Sequence, residues 1–384
     1  MMMRLHARSK DQWPRWNGSS RIGFRHGAQL FVLLMGAVVP CVNAQIPSPV
    51  VGASAAPVRQ AAPSRGLRVP VFEFRSGFWV NLHHFLYLQA RLRRGLTAAA
   101  GVPPSLRAWD MANLSALAPS ERQAWQKAVD YYAENFAGRD LPYDSFLVRI
   151  DDRLSDMAAC PDLIGRSSSA CASGIDPALA AILEEAAPVY RAHWWNLQNR
   201  TNRAWISQTV TFIRRYGSNP AEALSQAFQN AWPAGPIPVD VVPYAGAFGA
   251  YTTLDPLHIV LASGNPRNQG FAAGEVVFRE ASHVLAEPVE QAIVEQCREQ
   301  TKPIPRDLWH AIASYTTAMI FERSFTGQPL PPGVTLESFA ESNREYIVAR
   351  GWQSYQHLLK VYWQPYLYNE TGMQSAITGM VNAL

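Results

Sequence analysis

The chain has 384 residues, 48% of them hydrophobic and 17% charged, a balance that allows a sizeable core and excludes an intrinsically disordered chain. Its net charge is +4, but residues 1–44 hold six Lys and Arg against one Asp, a net of +5, so the remainder stands near −1. A near-neutral body gives no ground for binding nucleic acid or an anionic membrane surface.

The N-terminal segment predicts export. Arg4, Arg8, Lys10, Arg15, Arg21 and Arg25 precede an apolar run at 30–39, and Val42, Asn43 and Ala44 follow it. Positive, apolar, cleavable is the order of a secretory signal. The run is about half of what a membrane span needs, so no stable span is expected after cleavage near residue 45. The expected location is the periplasm or the medium. Residues 45–70, rich in Pro, Ala, Ser and Val without periodicity, read as a flexible tether. One folded domain is expected over 71–384.

That domain reads as mainly helical. The segment 77–94 is dense in aromatic and aliphatic positions and ends in arginines. Its His83 and His84 are adjacent, about 100° apart on a helix. One is expected buried and the other exposed, with no joint hold on one ion. Ser120 and Gln123 form a capping box ahead of Trp125, Val129, Tyr132 and Phe136, which share an apolar face. Asp176 and Pro177 open a long helical stretch to Tyr216, and Asn219 with Pro220 opens another. Three short strands are then expected at 237–242, 245–252 and 258–262. Helices resume after Gly270, with Pro288 kinking or breaking the first. The fold class is α+β, mainly α-helical, with a small sheet immediately before the helix of greatest chemical interest.

Outside the leader the cysteines are Cys160, Cys171 and Cys297. The turn-rich segment between Cys160 and Cys171 lets them close a short disulfide loop in an oxidising compartment. Cys297, in a helical pattern, is expected to be a buried or free thiol.

The helix after the strands reads GEVVFREASHVLAEP, with Glu280 and His283 three residues apart on one face. It is one residue short of HExxH, in which two His hold zinc and the Glu deprotonates the zinc-bound water. REASH on an apolar helix, the upstream strand HIVLA and the downstream helix LWHAIASYTTAMIFER together resemble the gluzincin-like zinc metallopeptidases, over about a quarter of the chain. The resemblance implies a zincin-like fold, Glu280 as general base, His283 as a metal ligand and HIVLA as an edge strand for a peptide. It also implies damage. Arg279 replaces the first ligand His, and a guanidinium has no lone pair to offer a metal. Met319 falls at the third ligand place, with Glu322 one turn on and His310 near the helix start; a thioether is a poor zinc ligand.

Three functions follow as alternatives. One is an exported zincin-like protein with a degenerate site, needing no cofactor, that binds a peptide, protein or envelope component. Another is a zinc hydrolase with non-standard ligands drawn from His283, His310, Glu287 and Glu322. The third is a structural helical protein of the envelope. Di-iron bundles need two ExxH copies and further Glu residues, and the chain has one copy. Neither a GxSxG elbow nor a Gly-rich phosphate loop is present. The sequon at Asn199 lies inside expected helix. The many Trp and Tyr residues suit a core, with a glycan-binding platform left open.

Overall fold

The computed structural model describes residues 70–96, 104–328, 330 and 335–384. The chain divides into two units, Met1–Ala61 and Ala62–Leu384. The described residues belong to the second; the expected leader, and the expected tether up to residue 69, lie outside them.

Four strands form one mixed sheet: β1 (Phe72–Arg75), β2 (Ile237–Val242), β3 (Ala250–Leu254) and β4 (Leu257–Ala262), in the order β1-β2-β4-β3. β1, β2 and β4 are parallel, and β3 runs antiparallel to β4, with Tyr251 opposite Val260. Alternation along the strands splits their side chains between two cores. Ile237, Val239, Val241, Ile259 and Leu261 enter one, and Val242, Val260 and Ala262 enter the other. With both faces covered, the inner strands are close to continuous apolar runs.

On one face lie α1 (Phe78–Arg93), α2 (Pro104–Ala116), α3 (Pro119–Asn135), α4 (Ser145–Asp156) and α5 (Pro177–Tyr190). α1 is wrapped on all sides, burying Phe78, Trp79, Leu82, Phe85 and Leu86. For that reason the expectation of one exposed histidine fails: His83 and His84 are both fully buried. The Asp176 carboxylate caps α5 by accepting the Ala178 and Leu179 N–H groups at 2.9 and 3.1 Å. The capping residues of α3 differ from expectation. The helix starts at Pro119, and Glu121, not Gln123, reaches back to the Ala118 N–H at 2.9 Å.

The other face carries α6 (Asn196–Tyr216), α7 (Ser218–Phe228), α8 (Phe271–Ala281), α9 (Glu287–Glu299), α10 (Leu308–Phe325) and α11 (Leu336–Ala349). The short α12 (Gln356–Leu358) and α13 (Gln364–Leu367) precede α14 (Met373–Asn382). Gly274 lets α8 lie directly on α6: a Cβ there would sit 2.2 Å from the Phe212 ring. α8 ends at Ala281, tightens into a 3-10 turn at Ser282–Val284, and Pro288 falls in the first turn of α9. The expected break at Pro288 is present, but the helix has already stopped a few residues earlier.

The sheet departs from the sequence reading in three places. β1 was not expected; four residues carry too short a pattern to read. The expected strand at 245–252 begins only at Ala250. Its first part is a loop in which Gly246 and Gly249 have φ of +75° and +77°, and a Cβ on Gly249 would meet the Asn265 side chain at 2.0 Å. Finally, HIVLA, expected at the edge, is the interior strand β4, and the edges are β1 and β3.

Cys160 and Cys171 are joined by a disulfide with Cα atoms 5.5 Å apart, and Cys297 is buried and free. Among the described residues no helix is long and apolar enough to cross a membrane.

Candidate functional site

α8, the turn after it, β3 and α10 meet around a cavity of about 360 Å³. α8 supplies Arg279 and Glu280, the 3-10 turn supplies His283, and the first turns of α10 supply His310 and Ser314. Ala250, Tyr251 and Thr252 of β3 close one side. Tyr346 of α11, with Arg350 and Trp352 beyond its end, closes another.

Arg279 holds the motif together electrostatically. It pairs with Glu275, one turn back, at 3.4 Å and approaches Glu280 Oε1 at 3.8 Å. Its guanidinium carbon also sits 4.2 Å from the centroid of the Tyr346 ring. Burial opposes its charge, but Glu275, Tyr346 and Glu280 outweigh that and hold its pKa above the ordinary arginine value. Burial raises the Glu275 carboxyl, with Arg279 acting against it. The Thr252 hydroxyl lies 2.9 Å from Glu280 Oε2 and 3.0 Å from the Glu280 carbonyl oxygen, tying β3 to α8.

His283 is neutral in this setting. Burial, then His310, Arg279 and Arg350, push its pKa well below the usual imidazole range. Its Nδ1 is 3.6 Å from Glu280 Oε2, too long for a hydrogen bond. The His283 and His310 rings are 5.3 Å apart, edge to face.

The remaining expected ligands lie elsewhere. Glu287 is exposed at the start of α9 and accepts from Gln291. Met319 packs partly buried against the larger core. Neither it nor Glu322 lines the cavity. The α10 residues that do, His310 and Ser314, are four apart, one turn along the same face. Met319 and Glu322, about one and two turns past Ser314, lie outside that lining.

A zinc ion of the gluzincin kind does not fit these residues. The first ligand place holds a permanent cation engaged with Glu275 and Glu280. Among the described residues no group of three or more His, Cys, Asp or Glu has a metal-holding arrangement.

Behind the cavity lies a buried polar network with no counterpart in the sequence reading. Tyr251, which lines the cavity, donates to Asp151 Oδ2 at 2.7 Å. His83 Nε2 and His84 Nε2 approach Asp151 Oδ1 at 3.5 and 3.2 Å. The adjacent histidines therefore converge on one carboxylate oxygen, against the expectation that they diverge. His84 Nδ1 faces the Tyr244 carbonyl at 3.0 Å and so carries a proton. Burial lowers the His83 pKa to about 4. Burial alone would raise the Asp151 carboxyl, but the two imidazoles and Tyr251 hold it well below the usual range. One step further, His258 of β4 bridges Asp240 Oδ2 at 2.9 Å and Asp152 Oδ1 at 3.1 Å, and Ser155 donates to Asp240 at 2.5 Å. One signal was available in the sequence: Asp240 and His258 are polar residues inside strands otherwise built for burial.

Comparison with known proteins finds no matching family model, no significantly similar curated protein and no significantly similar solved structure.

Proposed function

We propose that this is an exported binding protein of zincin-like build that holds an extended peptide, or a peptide-bearing envelope component, along β3, without zinc-dependent hydrolysis. The observation that carries the reading is the lining of the cavity by Ala250, Tyr251 and Thr252. Consecutive strand residues point to opposite faces, so a cavity that meets all three runs along the strand's edge. β3 has a neighbour on one side alone among the described residues, which leaves its other side for main-chain pairing.

Loss of hydrolysis is supported by Arg279. It supplies Glu280 with the positive charge that zinc would bring, but it provides neither an open coordination place nor a lowered water pKa. Export is supported by the order of the leader and by a disulfide, the linkage of oxidising compartments.

The test is capture of random acetylated hexapeptides by the purified protein, with a backbone N-methylated library as control. Binding that disappears on N-methylation is expected; equal capture of both libraries rules out edge pairing. Stoichiometric zinc in the protein, with peptidase activity lost in Glu280→Gln, would instead establish a working enzyme. N-terminal sequencing should find the exported chain starting near Gln45.

A further inference from the structure

Three arginines line the cavity, and two lie against acceptors of the protein itself, although the Arg279 Nε has no hydrogen-bond partner. Arg279 faces Glu275 and Glu280. Arg91 donates to the Ala137 and Leu96 carbonyls at 2.9 and 3.0 Å and to the Tyr87 hydroxyl at 3.1 Å. Arg350 differs. Its guanidinium carbon lies 4.5 Å from the centroid of the Phe248 ring and 4.6 Å from that of Trp352. The two carboxylates that line the cavity, Glu280 and Asp140, make no ion pair with it. Against burial, the nearby Tyr346, Tyr143 and Glu280 favour its charge.

Contacts with ring faces steady a guanidinium and partly offset its charge, but they use none of its five N–H donors. A half-buried cation of this kind, held between rings with no carboxylate in ion-pair contact, is matched by a planar anion that can take two parallel N–H bonds. A carboxylate has that shape and charge. The apolar faces of Phe248 and Trp352 beside it lower the local dielectric and strengthen such a pair.

We propose that Arg350 is the anchor for a carboxylate of the bound peptide, either its C-terminal group or an Asp or Glu side chain. This rests on the peptide-binding reading of the cavity and adds what the peptide must carry. It assigns specificity to a residue outside the REASH motif, while Arg279 remains occupied inside the protein.

The experiment compares acetylated random hexapeptides ending in a free carboxylate with the same library ending in an amide, captured on the purified protein and identified by mass spectrometry. If the terminus is the source, free acids should be retained about tenfold over amides, the discrimination one charge-assisted pair supplies; if a side chain is, both libraries should be retained with Asp and Glu enriched. Amides that are retained should be enriched in Asp or Glu if the side chain is the source, and unbiased if the terminus is. Arg350→Met should reduce the acid preference to within about twofold, and Arg350→Lys, which keeps the charge without the fork, should retain an intermediate preference. Thermal melts of both variants establish that they are folded, and the acid–amide comparison on the unaltered protein needs no variant. Equal retention of acids and amides, with no enrichment of acidic residues, overturns the proposal and leaves the peptide-binding reading standing. Retention of neither library overturns both.

Discussion

The Asp152–His258–Asp240 bridge fixes β4 and β2 to α4, and its loss should be visible in the pH dependence of stability. His258 is almost wholly buried. Burial works against its charge, but hydrogen bonds to Asp152 and Asp240 and the nearby carboxylates outweigh it and carry the pKa from 6.5 to about 10. The folded state therefore binds a proton that the unfolded chain releases above pH 6.5. The resulting stabilisation is complete below about pH 6.5 and is lost as pH rises towards about 10. A difference of roughly three and a half units corresponds to about 5 kcal/mol, lost at about 1.4 kcal/mol per pH unit across that window. In His258→Gln, Asp240 keeps Ser155 as a donor but has no cation beside it. The variant should be less stable by about 3–5 kcal/mol at pH 6, with the difference closing towards pH 10. Urea unfolding of both proteins at pH 6, 7, 8, 9 and 10 measures this, and subtraction removes the titration that the two proteins share. A variant as stable as the parent at pH 6, or a difference that does not shrink with pH, would refute the assignment of a charged His258.

Arg279→His should raise zinc affinity, read by competition with a chromophoric chelator. Adding Ser314→Glu should raise it further, whereas adding Met319→Glu should not, because Met319 lies outside the cavity. Gly274→Ala places a methyl group 2.2 Å from the Phe212 ring and should cost about 1–3 kcal/mol of unfolding free energy in denaturant melts. Thr252→Val removes the hydroxyl between β3 and Glu280 and should cost about 1–2 kcal/mol in the same assay. Replacing Cys160 and Cys171 together by Ser should lower stability by about 3 kcal/mol, measured against the parent under non-reducing conditions.

What could be read from the sequence divides by range. The mainly helical α+β class followed from periodicity and caps, because Asp176 and the apolar spacings of α3 act within a turn or two. β2 and β4 were legible as apolar runs, but their order in the sheet was not. Nothing local distinguishes an interior HIVLA from an edge one, since that depends on where β3 folds back. The glycines at 246 and 249 could have been read as a loop and were absorbed into a strand. At the candidate site, Arg279, Glu280 and His283 lie within one motif, so their nearness is legible in the sequence. Thr252 of β3, Phe248 of the loop before it and the Tyr346–Arg350 end of α11 are far apart in sequence and share no motif. Which part of α10 faces the cavity is likewise not local to its sequence: His310 and Ser314 line it and Met319 does not.

The sheet is a shared wall, and the order in which the ribosome delivers its parts matters. α1 to α5 are complete by Tyr190, but the strand residues that cover their inner side, Val242, Val260 and Ala262, come from β2 and β4. β1, made first, has no partner until Ile237 arrives to pair with Phe72. The earlier half of the domain therefore waits with one side of α1 uncovered for as long as it takes to make α6, α7 and the strands. A fragment ending at Tyr190 should not fold alone, and a chaperone that recognises apolar helix faces should find its target in that interval and lose it once Ala262 has docked.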